Sequence, residues 1–165
     1  MKTIFIDMDG VVADFEKYAQ TYLNKNVEMP LGYKYPPHEW ERLRENPRIY
    51  RDLPVVPNSQ KFVKDVIDFA APRTIAVLFL TATPSGNDVP WAFWDKINWA
   101  KEYFPNIPVW FGPFSDQKHV RSKPGNVLID DRVRNIEQWN AAGGLGIQFT
   151  GDFENVLNIL EDYYK

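Results

Sequence analysis

Four acidic side chains stand in two pairs at the ends of apolar runs: Asp7 and Asp9 in "IFIDMDGVVADF", and Asp130 and Asp131 in "NVLIDDR". A carboxylate at the end of a buried strand is costly unless a cation or a set of N–H donors compensates it. Residues two apart in an extended chain point the same way, so Asp7 and Asp9 can face one small site, and Gly10 permits a sharp turn directly after them. Carboxylates that close repel, and a divalent ion relieves the repulsion. Oxygen-only ligands suit Mg²⁺, which commonly takes one or two carboxylates, waters and a substrate phosphate. If Asp130 follows its strand it reaches the same ion, and Asp131 can hold a metal-bound water or a neighbouring donor behind it. The competing readings are solvated loop acids for the first pair and a helix N-cap for the second. Two aspartates after a buried strand favour the ion.

A phosphate ligand would need further groups. Thr81 ends the run "VLFLTATPSG", where its hydroxyl and the backbone N–H groups of the turn beginning at Ala82 can hold phosphate oxygens. Lys118, in "SDQKHVRSKPG", can supply a point charge, and Lys123 competes for that role. Strand-end polarity for Thr81 and ordinary solvation for either lysine are the bland alternatives. The aromatic residues Phe15, Tyr33, Tyr35, Trp40 and Tyr50 fall in one region and could line a base pocket, although any one of them could equally be core. Trp91, Phe93, Trp94 and Trp99 read as packing, and His38 and His119 as surface residues without paired ligand spacing. "GGLG" at 143–146 is not a dinucleotide fingerprint and reads as a helix C-cap leading into a strand.

The elements that must position these groups follow from periodicity. Short β-branched or apolar runs at 3–6, 74–81, 107–111, 126–130 and 146–149 predict strands buried on both faces. Helical spacing links Phe62, Val63, Val66, Ile67 and Ala70 behind a cap at Asn58 or Ser59, and Phe153, Val156, Leu157 and Leu160 behind Asp152. Strands alternating with helices imply an α/β fold, a Rossmann-like parallel sheet with helices on both faces, whose ligands sit beyond the carboxyl ends of the strands. Asp7, Asp9, Thr81, Asp130 and Asp131 would all project there. Residues 16–57 break the alternation. They carry helix candidates at 14–23 and 38–46 around the proline-punctuated "MPLGYKYPP", and read as a small helical cap inserted after the first strand; the core is then 1–15 and 58–165.

The chain has 165 residues, 44% of them hydrophobic, enough for one core with a small insertion. A formal charge of −3 disfavours long nucleic acid and acidic membranes but not one small anion. With no cysteine there is neither a disulfide framework nor a thiolate metal site. The longest apolar run is far below a bilayer span and the N-terminus is too short for a signal peptide, so a cytoplasmic location is the default. The partner expected is a small-molecule substrate, with room for a homodimer.

In order along the chain, "DMDGV", "FLT", the lysine in "SDQKH" and "LIDDR" resemble the four motifs of the haloacid dehalogenase (HAD) superfamily. The longer stretches "DMDGVVADF", "LPVVPNSQKFVKDV", "WDKINWAKEYF" and "VLIDDR" resemble the 5'(3')-deoxyribonucleotidases, which carry a cap between the first two motifs. The resemblance implies a Mg²⁺-dependent phosphomonoesterase acting on (deoxy)nucleoside monophosphates. Asp7 would be the nucleophile and Asp9 the acid and base; Thr81, Ala82 and Lys118 would bind phosphate. Mg²⁺ would be held by Asp7, the Asp9 backbone carbonyl and Asp130, with Asp131 in support, and Phe15 matches a cap-side aromatic that lines the family's base pocket; Tyr33, Trp40 and Tyr50 are candidates for that pocket from their residue types and region alone. "ATPSGNDVP" departs from the family's usual serine-proline continuation after the threonine. A HAD phosphatase for another small phosphate ester or a nucleic acid end, and a non-catalytic receiver-like phosphate-binding module, are the alternative functions.

Overall fold

β1 (Thr3–Ile6) has the sequence TIFI and is buried throughout, because parallel neighbours flank it on both sides. β2 (Ala76–Thr81), β3 (Val109–Phe111), β4 (Val127–Asp130) and β5 (Leu145–Gln148) complete a sheet of order β3-β2-β1-β4-β5, with every pairing parallel. The computed structural model describes residues 1–30, 33–85 and 89–165. Parts of "MPLGYKYPP" and "ATPSGNDVP" therefore lie outside the described residues.

Side-chain alternation splits the strands between two faces. Ile4, Ile6, Phe79, Val127 and Ile129 pack with Phe62, Val63 and Val66 of α3 (Ser59–Ala70), Trp99 and Ala100 of α4 (Ala92–Tyr103) and Val156 and Leu160 of α6 (Phe153–Tyr163). Phe5, Leu80 and Leu128 face the other way, against Trp139 of α5 (Val133–Ala141). The Asp152 carboxylate caps α6 by accepting from Asn155 N–H at 3.0 Å. The expected cap of α3 differs: Asn58 is left-handed, with φ 65°, and caps nothing, while the Ser59 hydroxyl donates back to the Val56 carbonyl at 2.7 Å. Gly143, with φ +95°, follows α5 and turns the chain toward β5.

Between β1 and α3 the chain forms α1 (Phe15–Tyr22), capped by Asp14 through Lys17 N–H at 3.0 Å, then α2 (Pro37–Leu43) and a 3₁₀ turn at Ile49–Arg51. This segment leaves and returns through one point. Ala13 bridges Val55 antiparallel, Asp14 N–H donates to the Pro54 carbonyl at 2.8 Å, and Val56 N–H donates to the Val12 carbonyl at 2.9 Å.

Connections run from β1 outward to β3 on one side and to β5 on the other, so the strand order switches direction between β1 and β4. A crevice opens at such a switch point, beyond the carboxyl ends of the strands. Asp7 and Asp130 stand on its two sides.

Candidate active site

Asp7 directly follows β1 and Asp130 is the last residue of β4; both are buried, and Lys118 Nζ lies between them at 2.7 Å from Asp7 Oδ1 and 2.7 Å from Asp130 Oδ2. Lys118 comes from a 3₁₀ segment, Ser115–Arg121, and is itself buried. Asp130 is held further by Arg132 N–H on Oδ1 at 2.9 Å and by Asn135 Nδ2 on Oδ2 at 2.9 Å. Asn135 also donates to the Ser115 hydroxyl at 3.1 Å, which ties the segment bearing Lys118 to the helix that follows Asp130. Asp131 caps no helix. Its carboxylate turns instead against Gly10, where a Cβ would stand 2.3 Å from Asp131 Oδ2, so the loop after β1 and the turn after β4 touch at the one residue type without a side chain.

Asp9 is directed elsewhere. The loop after β1 coils so that Val11, Val12 and Ala13 N–H all point at the Met8 carbonyl, and the Asp9 carboxylate accepts from Lys96 Nζ at 2.5 Å. Lys96 also donates to the Thr81 hydroxyl at 2.9 Å, and its ammonium lies 4.5 Å from the centroid of the Tyr50 ring. Thr81 is fully buried at the end of β2, with half-buried Ala82 next in the chain. The crevice thus holds two charge clusters: Asp7, Asp130, Asp131 and Lys118 on one side, Asp9, Lys96 and Thr81 on the other. Lys123 joins neither; it is exposed near Asn126, at the opposite end of β4 from Asp130.

Lys96 went unnoticed in the sequence, although a signal for it existed. On α4 the buried residues are Ala92, Asp95, Lys96, Trp99 and Ala100, the i, i+3, i+4, i+7, i+8 stripe of a core-facing helix with two charges in its middle. Buried charges demand partners, and a stripe interrupted in that way points to them. His119 also differs from expectation: His38 is exposed, but His119 is half-buried, with its Nδ1 enclosed and unpaired among the described residues.

Phe15, Trp40 and Tyr50 meet in one aromatic cluster: the Phe15 ring is 5.6 Å from Trp40 and 6.3 Å from Tyr50. Tyr33 joins it through Tyr35, which lies 5.0 Å from Tyr33 and 5.9 Å from Phe15. The Tyr35 hydroxyl donates to Glu16 at 2.5 Å and the Tyr33 hydroxyl to Glu39 at 3.2 Å. Tyr35 and Tyr50 are buried, whereas Phe15, Tyr33 and Trp40 keep part of their surface accessible.

Burial pushes the Asp7 carboxyl up to about 6; Lys118 opposes the rise, and Asp130 and Asp9 add to it. Burial, reinforced by Asp7 and Asp130, raises Asp131 to about 8. Burial alone would lower Lys118, but the Asp130 and Asp7 carboxylates outweigh it and hold the ammonium charged. The Arg132 guanidinium also acts on these carboxylates and opposes the rise at Asp131, yet burial and the neighbouring acids still hold Asp7 and Asp131 above the usual carboxylate range. Asp7, Asp130 and Asp131 each offer an oxygen, all within 4.8 Å of one another, and Asp131 Oδ1 is enclosed with no partner among the described residues. An oxygen-only cluster with an unsatisfied buried acceptor fits a hard divalent cation. Asp131, expected behind such an ion, has its carboxylate in the cluster itself.

A sequence profile of the family "5' nucleotidase, deoxy (Pyrimidine), cytosolic type C protein" matches residues 1–159. A Staphylococcus aureus (strain Mu50) protein described as "Putative 5'(3')-deoxyribonucleotidase" is 30% identical over 177 residues, spanning 99% of this chain and 88% of its own length. A Staphylococcus epidermidis protein of the same description is 31% identical over 160 residues, 89% of this chain and 82% of its own. A haloacid dehalogenase-like family hydrolase from Xanthomonas campestris superposes with a TM-score of 0.56 at 14% identity, covering 99% of this chain and 96% of that one. The L-2-haloacid dehalogenase of Xanthobacter autotrophicus superposes with a TM-score of 0.56 at 11% identity, covering 96% and 81%. At such low identity these two structures speak for the fold alone, and the profile and the staphylococcal relatives carry the family. The fold is that of the haloacid dehalogenase-like hydrolases, and the chain belongs to the 5' nucleotidase, deoxy (pyrimidine), cytosolic type C family of phosphatases.

Proposed function

We propose that this enzyme hydrolyses the phosphate monoester of (deoxy)nucleoside monophosphates through an aspartyl-phosphate on Asp7, with Mg²⁺ as its cofactor. The observation that carries the reading is the division of the crevice: Asp7 stands in the carboxylate cluster with Lys118, while Asp9 is drawn away from it by Lys96. Two carboxylates two residues apart thereby acquire different surroundings: a divalent ion in the cluster would hold Asp7 ionised against the burial that raises it, and Asp9 would take up its proton role once a substrate phosphate draws Lys96 to itself.

An Asp7 carboxylate oxygen attacks phosphorus and the P–O bond to the nucleoside breaks. The leaving oxygen takes its proton from Asp9. Asp9, now ionised, removes a proton from a water molecule that attacks the phosphoryl group of the intermediate, and the P–O bond to Asp7 breaks to release phosphate and restore both side chains. Lys118, Lys96 and Thr81, with the backbone at Ala82, supply the positive charge and hydrogen bonds that phosphoryl oxygens demand. Mg²⁺ would be held by Asp7 and Asp130 with Asp131, and when bound it neutralises charge between carboxylates and phosphate.

The segment 16–57 would act as the cap, with Phe15, Tyr33 and Trp40 offering accessible ring surface to a nucleobase and Tyr50 closing the floor beneath Lys96. The relatives described as deoxyribonucleotidases support the nucleotide assignment, and the formal charge of −3 accords with a small substrate in the cytoplasm rather than long nucleic acid. Among the described residues no helix is long and apolar enough to cross a membrane. Release of inorganic phosphate from a panel of deoxy- and ribonucleoside 5'- and 3'-monophosphates, with Mg²⁺ and with a chelator, tests the proposal. Activity on the nucleotides that the chelator abolishes is expected; turnover of sugar phosphates alone would overturn the substrate assignment.

A further inference from the structure

The chain returning from the insertion is fastened to α4 at the level of Lys96. Arg48 donates from Nε to Asp95 Oδ2 at 2.8 Å and from Nη2 to Asp95 Oδ1 at 2.5 Å, a bidentate pair. The Arg48 guanidinium lies 5.0 Å from the centroid of the Trp91 ring, which fixes its plane, and Trp99 Nε1 donates to the Leu53 carbonyl at 2.7 Å. The Asp95 side chain is 0% exposed, so this is no ordinary surface ion pair: without Arg48 a buried carboxylate would lose its counter-charge.

Asp95 and Lys96 occupy the same turn of α4 and serve opposite sides. Asp95 takes the insertion through Arg48; Lys96 takes the strand ends through Asp9 and Thr81. Tyr50, two residues after Arg48, lies under the Lys96 ammonium and closes the loop of contacts. A lysine head on a flexible four-carbon stem holds a fixed place only where its surroundings lock it, and here that lock is built partly from the insertion.

We propose that Arg48 is a positioning residue: by clamping Asp95 it sets the first turn of α4, and with it the Lys96 ammonium against Asp9 and Thr81, so that the insertion and the phosphate end of the crevice move as one unit. The inference rests on the phosphatase reading of the crevice for its catalytic consequence, but not for the contact it describes.

The test compares wild type with Arg48→Met, Arg48→Lys, Asp95→Asn, Lys96→Met and the Arg48→Met/Lys96→Met double variant, well below each melting temperature. Steady-state kinetics on dTMP and on phenyl phosphate are paired with acylation of Lys96 by an amine-reactive reagent, read by mass spectrometry. Arg48→Met should lower kcat on both substrates by about 10- to 100-fold, the cost of a small misplacement of a reacting group, with KM little changed. Lys96 acylation should rise, Arg48→Lys should recover part of both effects, and Arg48→Met should cost nothing more once Lys96 is gone. Independent, additive losses would overturn the proposal, as would a raised KM with intact kcat, which would put Arg48 on the substrate, or unchanged acylation of Lys96. If Arg48→Met does not fold, Asp95→Asn carries the same comparison. Absence of phosphatase activity in the wild type would refute the function proposed above, and the acylation of Lys96 would still decide the coupling.

Discussion

At the scale of single residues, the crevice is a problem of charge. Lys118 lies 2.7 Å from both Asp7 and Asp130, and Asp131 closes the carboxylate cluster with an oxygen that has no partner among the described residues. Asp7→Asn should abolish phosphate release, by at least about 10³-fold as expected for loss of a nucleophile. The same change removes one of three crowded carboxylates, so the melting temperature without metal should not fall. Retained turnover would reject the nucleophile; a large drop in stability would mean that the Asp7–Lys118 pair outweighs the repulsion. Lys118→Ala should act in the other direction on the fold, leaving Asp7 and Asp130 without their shared cation at a cost of about 3 kcal/mol, the size measured when one partner of a buried pair is removed. Lys123→Ala, on an exposed residue, should change neither stability nor kcat. Urea titrations and kinetics on the two variants separate the lysines, and equal effects would mean that Lys118 is not the phosphate lysine.

At the scale of elements, the acidic residues were legible because each closes an apolar run, and the parallel order carries all such ends to one edge. The break in the alternation of strands and helices after β1 corresponds to the segment that carries α1, α2 and the 3₁₀ turn. Lys96 and the Arg48–Asp95 pair were not, since their partners are 87 and 47 residues away and a Lys inside a helix normally reads as solvated. Only the position of Asp95 and Lys96 within the buried stripe of α4 marked them. The caps divide in the same manner: Asp152 fills a local pattern, whereas Asp130 serves Lys118 as well as the first turn of α5, and Asp131 turns to Gly10 in the loop after β1. Gly10 is the point where two such elements meet. Its φ of +83° and the 2.3 Å from its would-be Cβ to Asp131 Oδ2 leave no room for a methyl group. Gly10→Ala should cost about 1–2 kcal/mol in backbone strain alone and displace Asp131 as well. Calorimetry should find a melting temperature lower by about 2–4 °C per kcal/mol lost, with weaker Mg²⁺ binding. Unaltered Mg²⁺ affinity would show that Asp131 takes no part in holding the ion.

At the scale of the whole molecule, the carboxylate cluster couples folding to pH and to metal. Burial raises Asp7 to about 6 and Asp131 to about 8, both above the values that the unfolded chain would show. Between about pH 4 and pH 8 the folded protein therefore retains protons that the unfolded chain has released, and stability falls as pH rises through that window. Lys118 does not reverse the trend, because its pKa is raised from a value already above the window and it stays charged in both states. A divalent ion among Asp7, Asp130 and Asp131 does the work of the missing protons, so the gain in melting temperature on adding Mg²⁺ should be smallest near pH 5 and largest near pH 8. Asp131→Asn should flatten the slope for the metal-free protein, since the group with the highest raised pKa no longer titrates. Differential scanning fluorimetry from pH 5 to pH 8, with Mg²⁺ or chelator, measures both. A metal-induced gain independent of pH, or a slope unchanged in Asp131→Asn, would mean that the cluster neither stores those protons nor exchanges them for the ion.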